Sequence, residues 1–542
     1  MTSGRRHPGT ADWAGFPMTE AGPFFLESVD MVRRPDPIRQ ITIVGGGTAG
    51  WMCAAAFARN LPGVAITLVE SEAIGTVGVG EATIPPIRLF NAMLGLDEAE
   101  FLRETRGTYK LGIAFRDWGA LGERYFHPFG VYGLRPELGH FLQYWLRMKA
   151  LGEVGPISDY SLCALAAMSG RMGTQSDDPT SALSTFGSAY HFDAGLYARY
   201  LRRYSEKRGV TRIEGQVGDV ALDPENGFVT TLTLKDGRAI GGDLFIDCSG
   251  FRGLLIEQAL ETGYENWTRW LPCDRAIAMP CEHGTLDANG APVIAPYTLS
   301  TAREAGWQWT IPLQHRVGNG YVYSSQFKAD DAAEATLRAN LQGRPLAEPN
   351  RLKFVTGRRK AFWNRNVVAL GLASGFIEPL ESTSIHLIQS GINKLLMHWP
   401  DRNFDPANIE AYNRRQHLDY ERIRDFIILH YHATARDDTP LWRYTRDMAI
   451  PDTLAHKIAV FRERGAFANA AEEMFTPTSW MAVMMGQGIE PQSYDPLIEM
   501  QDIAPIRSGF ARMQAHLRSL VDAMPSHGEY LRRHNMVARE VA

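Results

Sequence analysis

The stretch VGGGTAG at residues 44–50 sets glycines at 45, 47 and 50, and an acid, Glu70, follows 20 residues beyond the last of them. That spacing could hold a dinucleotide. Gly45 permits a tight turn, Gly47 lets backbone approach a pyrophosphate, and Gly50 allows close packing of a helix on a strand. Thr48 and Ala49 fall at the start of that helix, where free amide N–H groups and the helix dipole favour phosphate. Glu70 is placed to accept hydrogen bonds from ribose hydroxyls. A glycine turn with no ligand is the alternative reading.

The elements needed to position such a site surround it. IRQITIVGGGTAGWMCAAAFARNLPGVAITLVES reads as apolar strand, glycine turn, Ala-rich helix and second apolar strand, a βαβ unit that sets an α/β, Rossmann-like fold class. Two later runs, GGDLFIDCSGFRG at 241–253 and RNVVALGLASGFIEPLESTSIHLIQSGINKLL at 365–396, can join the same sheet across insertions. A hairpin-like VTTLTLKDGRAIGGD precedes the first of them. Only one complete fingerprint is present, and small residues such as Gly371 and Ser374 after the later strand suit an isoalloxazine lying against backbone. FAD is therefore favoured over NAD, with a purely structural role for the two later glycine turns left open. Residues 1–36 lack periodicity and read as a poorly ordered extension. Residues 37–400 read as the cofactor-binding core with inserted substrate-binding segments, and 401–542 as a helical C-terminal subdomain.

Composition narrows the partners. A net charge of −5 with both signs interspersed shows no basic stripe for nucleic acid and no polybasic membrane patch, so a small-molecule substrate is expected. No run approaches a membrane span and no signal sequence opens the chain, which points to the cytoplasm. Five cysteines without a CxxC pair read as reduced, buried thiols, and the 15 histidines show no ligand spacing, so no metal is implied.

GWQWTIPL, at 306–313, places Trp307 and Trp309 on one face of a strand, which by itself suggests core packing. Together with GGGTAGWM, VGVGEATIP, GTYKLGIAF and EPLEST, in that order, it resembles the flavin-dependent tryptophan halogenases from about residue 38 to 400, with weaker likeness beyond. The resemblance implies a flavin monooxygenase-type fold that takes FADH2 from a separate flavin reductase, in keeping with the missing second nucleotide site. Oxygen and halide then yield hypohalous acid, which travels through a tunnel to an aromatic substrate. A homodimer is expected on the same ground.

Residue by residue, the resemblance makes Lys110 the group that hydrogen-bonds hypohalous acid or forms a haloamine, although a snorkelling strand lysine is the plainer reading. Glu381 would polarise the oxidant or accept the ring proton, and Ser382 would couple cofactor and substrate sites; as a pair they would also suit a helix start. Thr383 and Ser384 match the backbone halide site, but Ser384 stands where the family usually has glycine, leaving bromide as plausible a halide as chloride. His127 and Phe129 match the rings that sandwich the indole, with core packing as the alternative. Glu81 and Pro85 match a stretch beside the flavin. Trp307, Trp309, Ile311 and Pro312 would wall the oxidant's route. The Tyr-Tyr pair of a free-tryptophan lid is missing from FRERGAFANAAEEMFTPTSWMAVMMGQG, and ESTSIHLIQSG suggests the subgroup that halogenates simple indoles and whose natural substrates are unassigned. The competing functions are an FAD-dependent aromatic hydroxylase and a non-catalytic flavin- or indole-binding protein.

Overall fold

The glycine fingerprint lies where a parallel sheet can use it. In the computed structural model, which describes residues 34–73, 80–134, 138–469 and 472–538, Gln40–Val44 is a buried strand, Thr48–Asn60 a helix and Ala65–Glu70 the next strand. The helix needs little help to form, since its Ala-rich sequence has high intrinsic propensity, and Gly50 through Phe57 are all buried. Leu244–Asp247 and Val367–Ala369 pair in parallel on the other side of the first strand, in the order 367–369, 244–247, 40–44, 65–70, then 211–214. The three separated runs thus share one sheet, as expected, and an antiparallel edge, Trp363–Asn364, closes it. All the parallel strands end on the same side, where an open α/β sheet binds its ligand. VTTLTLKDGRAIGGD forms the expected hairpin, Val229–Leu234 against Ala239–Gly241.

A second, seven-stranded mixed sheet runs 350–353, 275–278, 317–323, 306–312, 298–303, 112–116, 124–128. It contains GWQWTIP as a strand between two antiparallel neighbours, with every residue buried except Thr310. A small sheet sets Thr108–Lys110 and Gly80–Ala82 on either side of Ala189–Asp193. Beyond residue 400 the regular structure is almost wholly helical, beginning with Pro406–His432, whose N-terminus is capped by Asp405 accepting from Ala407 and Asn408 N–H. The last turns of that long helix are buried, so it drives into the interior. Residues 37–542 form one compact unit, and the largest of three apolar clusters among the described residues extends from Ile38 to Met536. Of the expected extension, residues 1–33 lie outside the described residues, as do residues 77–79 of VGVGEATIP. The five cysteines are buried free thiols, and no helix among the described residues is long and apolar enough to cross a membrane.

Candidate active site

A cavity of about 480 Å³ opens at the carboxyl ends of the parallel strands. It is lined by Gly45, Gly47, Thr48 and Ala49 from the fingerprint, Glu70 from the second strand, Cys248 to Arg252 after the third, and Gly371 after the fourth. The glycines divide their tasks as the spacing requires. A Cβ on Gly45 would fall 2.2 Å from the Cys248 carbonyl oxygen and one on Gly50 1.8 Å from that of Gly45, whereas one on Gly47 would meet nothing within 4 Å. The first two are packing necessities; the third leaves open a cradle that only a ligand would fill. Gly45 also has φ near 112°, a conformation that side chains disfavour. Glu70 bends over Gly46 and is held by Arg212 at 2.5 Å. The cradle, the helix N-terminus and the waiting carboxylate fit the pyrophosphate and ribose of a dinucleotide. Glu81 forms part of the same wall, and burial pushes its carboxyl up to about 7. Pro85 begins the next helix, Pro86–Leu94.

Ser382 and Ser384 also line the cavity. Directly behind Ser382 lies Lys110, wholly buried, its Nζ donating to Ser382 Oγ at 2.7 Å and to the Thr83 carbonyl at 3.0 Å. The ammonium also sits 4.9 Å from the centre of the Phe129 ring, close enough for a cation–π attraction. Burial lowers it to about 7, against an opposing pull from the Glu381 charge. Lys110 therefore gives up its proton far more readily than an exposed lysine would.

Glu381 closes a short 3₁₀ turn, Pro379–Glu381, and is fully buried between two imidazoles. His127 Nδ1 lies 2.9 Å from Oε2 in a good hydrogen bond, while His430 Nε2 lies 2.8 Å from Oε1, off the line of one. Because His430 Nδ1 is 2.8 Å from the Phe426 carbonyl, that nitrogen must donate, and the contact of Nε2 with the carboxylate is attractive only when the ring carries both protons. Burial works to raise the Glu381 carboxyl, but His127 and His430 overcome it and hold it down at about 2. The result is a buried base with little tendency to keep a proton at rest.

The remaining expected residues are arranged around this pair. Trp307, Trp309 and Ile311 line the cavity, the two indoles with centres 6.1 Å apart. Pro312 does not face it; its carbonyl accepts from Thr108 Oγ at 2.7 Å, which ties the WxWxIP strand to the strand carrying Lys110. Thr383 stands at the N-cap position of the helix Ser384–Met397 without a side-chain capping bond, its Oγ buried and unpartnered, and Ser384 lines the cavity from that helix's first turn. The expected cap pair Glu381 and Ser382 instead belongs to the preceding turn, with Ser382 in the left-handed region at φ 60°. Ser374 does not itself line the cavity; its Oγ bonds two residues that do, the Gly371 carbonyl at 2.7 Å and the Tyr420 hydroxyl at 2.9 Å. Phe129 lies against Lys110, while His127, besides holding Glu381, has Phe426 and Phe475 as ring neighbours at 5.8 and 6.4 Å. Sequence reasoning missed His430. Its one signal was a pair of histidines, HYH, ending an apolar helical run.

The sequence family described as tryptophan halogenase matches residues 40–502. Among solved structures, BrvH, a flavin-dependent halogenase from Brevundimonas sp. BAL3, is 47% identical with a TM-score of 0.87, covering 92% of this chain and 99% of its own. Xcc4156, a flavin-dependent halogenase from Xanthomonas campestris, is 45% identical with a TM-score of 0.88, covering 93% and 99%. Tryptophan 6-halogenase SttH of Streptomyces toxytricini is 37% identical over 92% of this chain and 98% of its own length.

Proposed function

This chain belongs to the tryptophan halogenase family, and we propose that it halogenates an indole or another electron-rich aromatic ring with Lys110 and Glu381 as its catalytic residues. The observation that carries this reading is the junction at Ser382: one residue lines the cofactor cavity and its hydroxyl accepts from Lys110 Nζ at 2.7 Å, with Glu381 next to it in the chain. Bound FADH2, supplied by a separate flavin reductase, contributes the chemistry that turns oxygen and bromide or chloride into hypohalous acid. The fingerprint glycines and Glu70 hold that cofactor. The N–H groups of Thr383 and Ser384, at the start of a 14-residue helix, hold the halide.

From there the protein's own groups direct the chemistry. Lys110 receives the neutral oxidant, as an ammonium that donates to it or as an amine that takes its halogen, the halogen–oxygen bond breaking and the hydroxyl leaving as water with the displaced N–H proton. Its burial excludes water, so the electrophile is spent on the ring rather than on solvent. Phe129 and His127 offer flat faces to an aromatic substrate. Electrophilic attack leaves a cationic ring that must lose a proton, and Glu381, ionised and beside His127, takes it at its carboxylate. Trp307 and Trp309 wall the route from cavity to lysine and take no proton. The absence of a Tyr-Tyr pair from 461–488 favours simple or larger indole derivatives over free tryptophan.

The test supplies FAD, NADH, an independent flavin reductase, oxygen and bromide or chloride, with a panel of indoles and phenols read by mass spectrometry. Halogenated indole is expected. A hydroxylated product instead would mark a hydroxylase, and full FAD binding with no turnover on any member would mark a binding protein.

A further inference from the structure

Glu378, the first acid of EPLEST, is fully buried and has no task in the chemistry above. Its Oε2 accepts from Trp307 Nε1 at 2.9 Å and from the Tyr431 hydroxyl at 2.6 Å, while Oε1 has no partner. An indole N–H can only donate, so Oε2 serves as an acceptor whether or not the acid is ionised. Burial lifts the carboxyl to about 7. Packing alone does not account for such a group, because a partnerless buried polar atom is a cost that an apolar side chain would avoid.

What the carboxyl does is join three elements at one point. Trp307 comes from the WxWxIP strand, Glu378 immediately precedes the Pro379–Glu381 turn, and Tyr431 ends the long helix Pro406–His432. Tyr431 and His430 are neighbours on that helix, and they reach the two acids of one motif: Tyr431 binds Glu378, and His430 lies against Glu381. One helix therefore grips the turn at both ends, and the tryptophan strand braces the first of them. Tyr431 is itself fixed, stacked on Trp442 at 5.8 Å and within reach of the Cys273 thiol. At the far end of the turn, Ser382 and Glu381 must be correctly placed with respect to Lys110, and shifts of about 1 Å in such placements can cost ~100-fold in rate.

We propose that Glu378 is a positioning residue: by holding Trp307 and Tyr431 on one carboxyl oxygen it sets the Pro379–Glu381 turn so that Ser382 and Glu381 reach the Lys110 side chain. The specificity of WxWxIP then has a physical content, because the first tryptophan acts through its N–H on the turn that carries the base, whereas Trp309, whose N–H has no partner, acts through its shape. This inference rests on the halogenase reading.

The experiment compares Glu378→Gln, which keeps the acceptor oxygen, with Glu378→Leu, which removes it, and adds the double variant Trp307→Phe/Tyr431→Phe, which removes both donors. Coupling is read as halogenated product per NADH consumed, FAD binding by flavin fluorescence, and local order by hydrogen–deuterium exchange. Glu378→Gln should keep coupling within about twofold. Glu378→Leu should lower it about tenfold or more with FAD affinity unchanged, the double variant should lower coupling as much, and both should speed exchange selectively in the peptide spanning 379–384. Wild-type coupling in a folded Glu378→Leu or double variant overturns the proposal. So does a rise in exchange spread evenly over the protein, or failure of Glu378→Gln to rescue. If wild-type protein halogenates nothing, the functional reading falls, and the exchange pattern alone decides whether the clamp exists.

Discussion

Replacing Lys110 with methionine should abolish halogenation and make the protein more stable, with a pH dependence fixed by the burial of the ammonium. The group falls from its ordinary 10.5 to about 7 because it is desolvated, with Glu381 only partly opposing. At about 1.4 kcal/mol per pH unit, that difference makes the charged form about 5 kcal/mol less favourable inside the protein than in the unfolded chain. The folded-state pKa is the lower one. Below pH 7 both states are protonated and the cost is complete; between pH 7 and 10.5 the unfolded chain binds the extra proton, so wild-type stability rises with pH relative to the variant. Urea unfolding of both proteins at pH 7.5 and 9.5 should therefore show the methionine variant's advantage narrowing by roughly 2 to 3 kcal/mol, somewhat under two pH units at the linkage slope. A gap constant within about 0.5 kcal/mol would refute the placement of Lys110 as a desolvated cation. The same titration decides its chemical role. If the ammonium donates to the oxidant, coupling falls as pH rises through 7; if the free amine captures halogen, coupling rises over that range.

Other expectations follow from the site. Gly47→Ala should leave the melting temperature unchanged, since its Cβ meets no protein atom within 4 Å, but weaken FAD binding about tenfold or more by fluorescence titration; Gly50→Ala, with its Cβ 1.8 Å from the Gly45 oxygen, should lose fold and binding together. Glu381→Gln should reduce the halogenation rate about 100-fold or more. Because Glu381 is held at about 2 instead of 4.5, the stability its ionisation contributes is present above 4.5 and lost as pH falls through 2, so acid unfolding should show the wild-type advantage shrinking over that window. Ser384→Gly should change the bromide-to-chloride product ratio in equimolar halide; an unchanged ratio would remove this side chain from halide selection.

The parts of the site that could be read from sequence are those specified locally. Strand, GxGxxG, helix and Glu70 lie within about 30 residues and each obeys a short-range rule, so the turn, the packed glycines and the open cradle at Gly47 all occur where the spacing puts them. The strands at 244–247 and 367–369 were legible for the same reason, through apolar runs ending in small residues. Partnerships across the fold were not. Nothing in the period of the Pro406–His432 helix separates His430 and Tyr431 from its other buried residues, and only the crossing of that helix with the EPLEST turn gives them carboxylates to hold. Ser374 is a further case: its hydroxyl meets that of Tyr420 from the same helix, a contact that nothing in the local sequence announces. Local pattern specifies which groups are available, and long-range packing decides whom they serve.

Ser382 gives the site a further property. Its left-handed backbone lets a single residue border the cofactor cavity while its hydroxyl faces Lys110. Residues of different kinds thus meet at it: fingerprint glycines and indoles line the cavity, while Phe129, His127 and the Phe426–Phe475 stack lie around Lys110 and Glu381. Such a layout is modular. The aromatic residues around Lys110 and Glu381 can be replaced without touching any residue that lines the cavity.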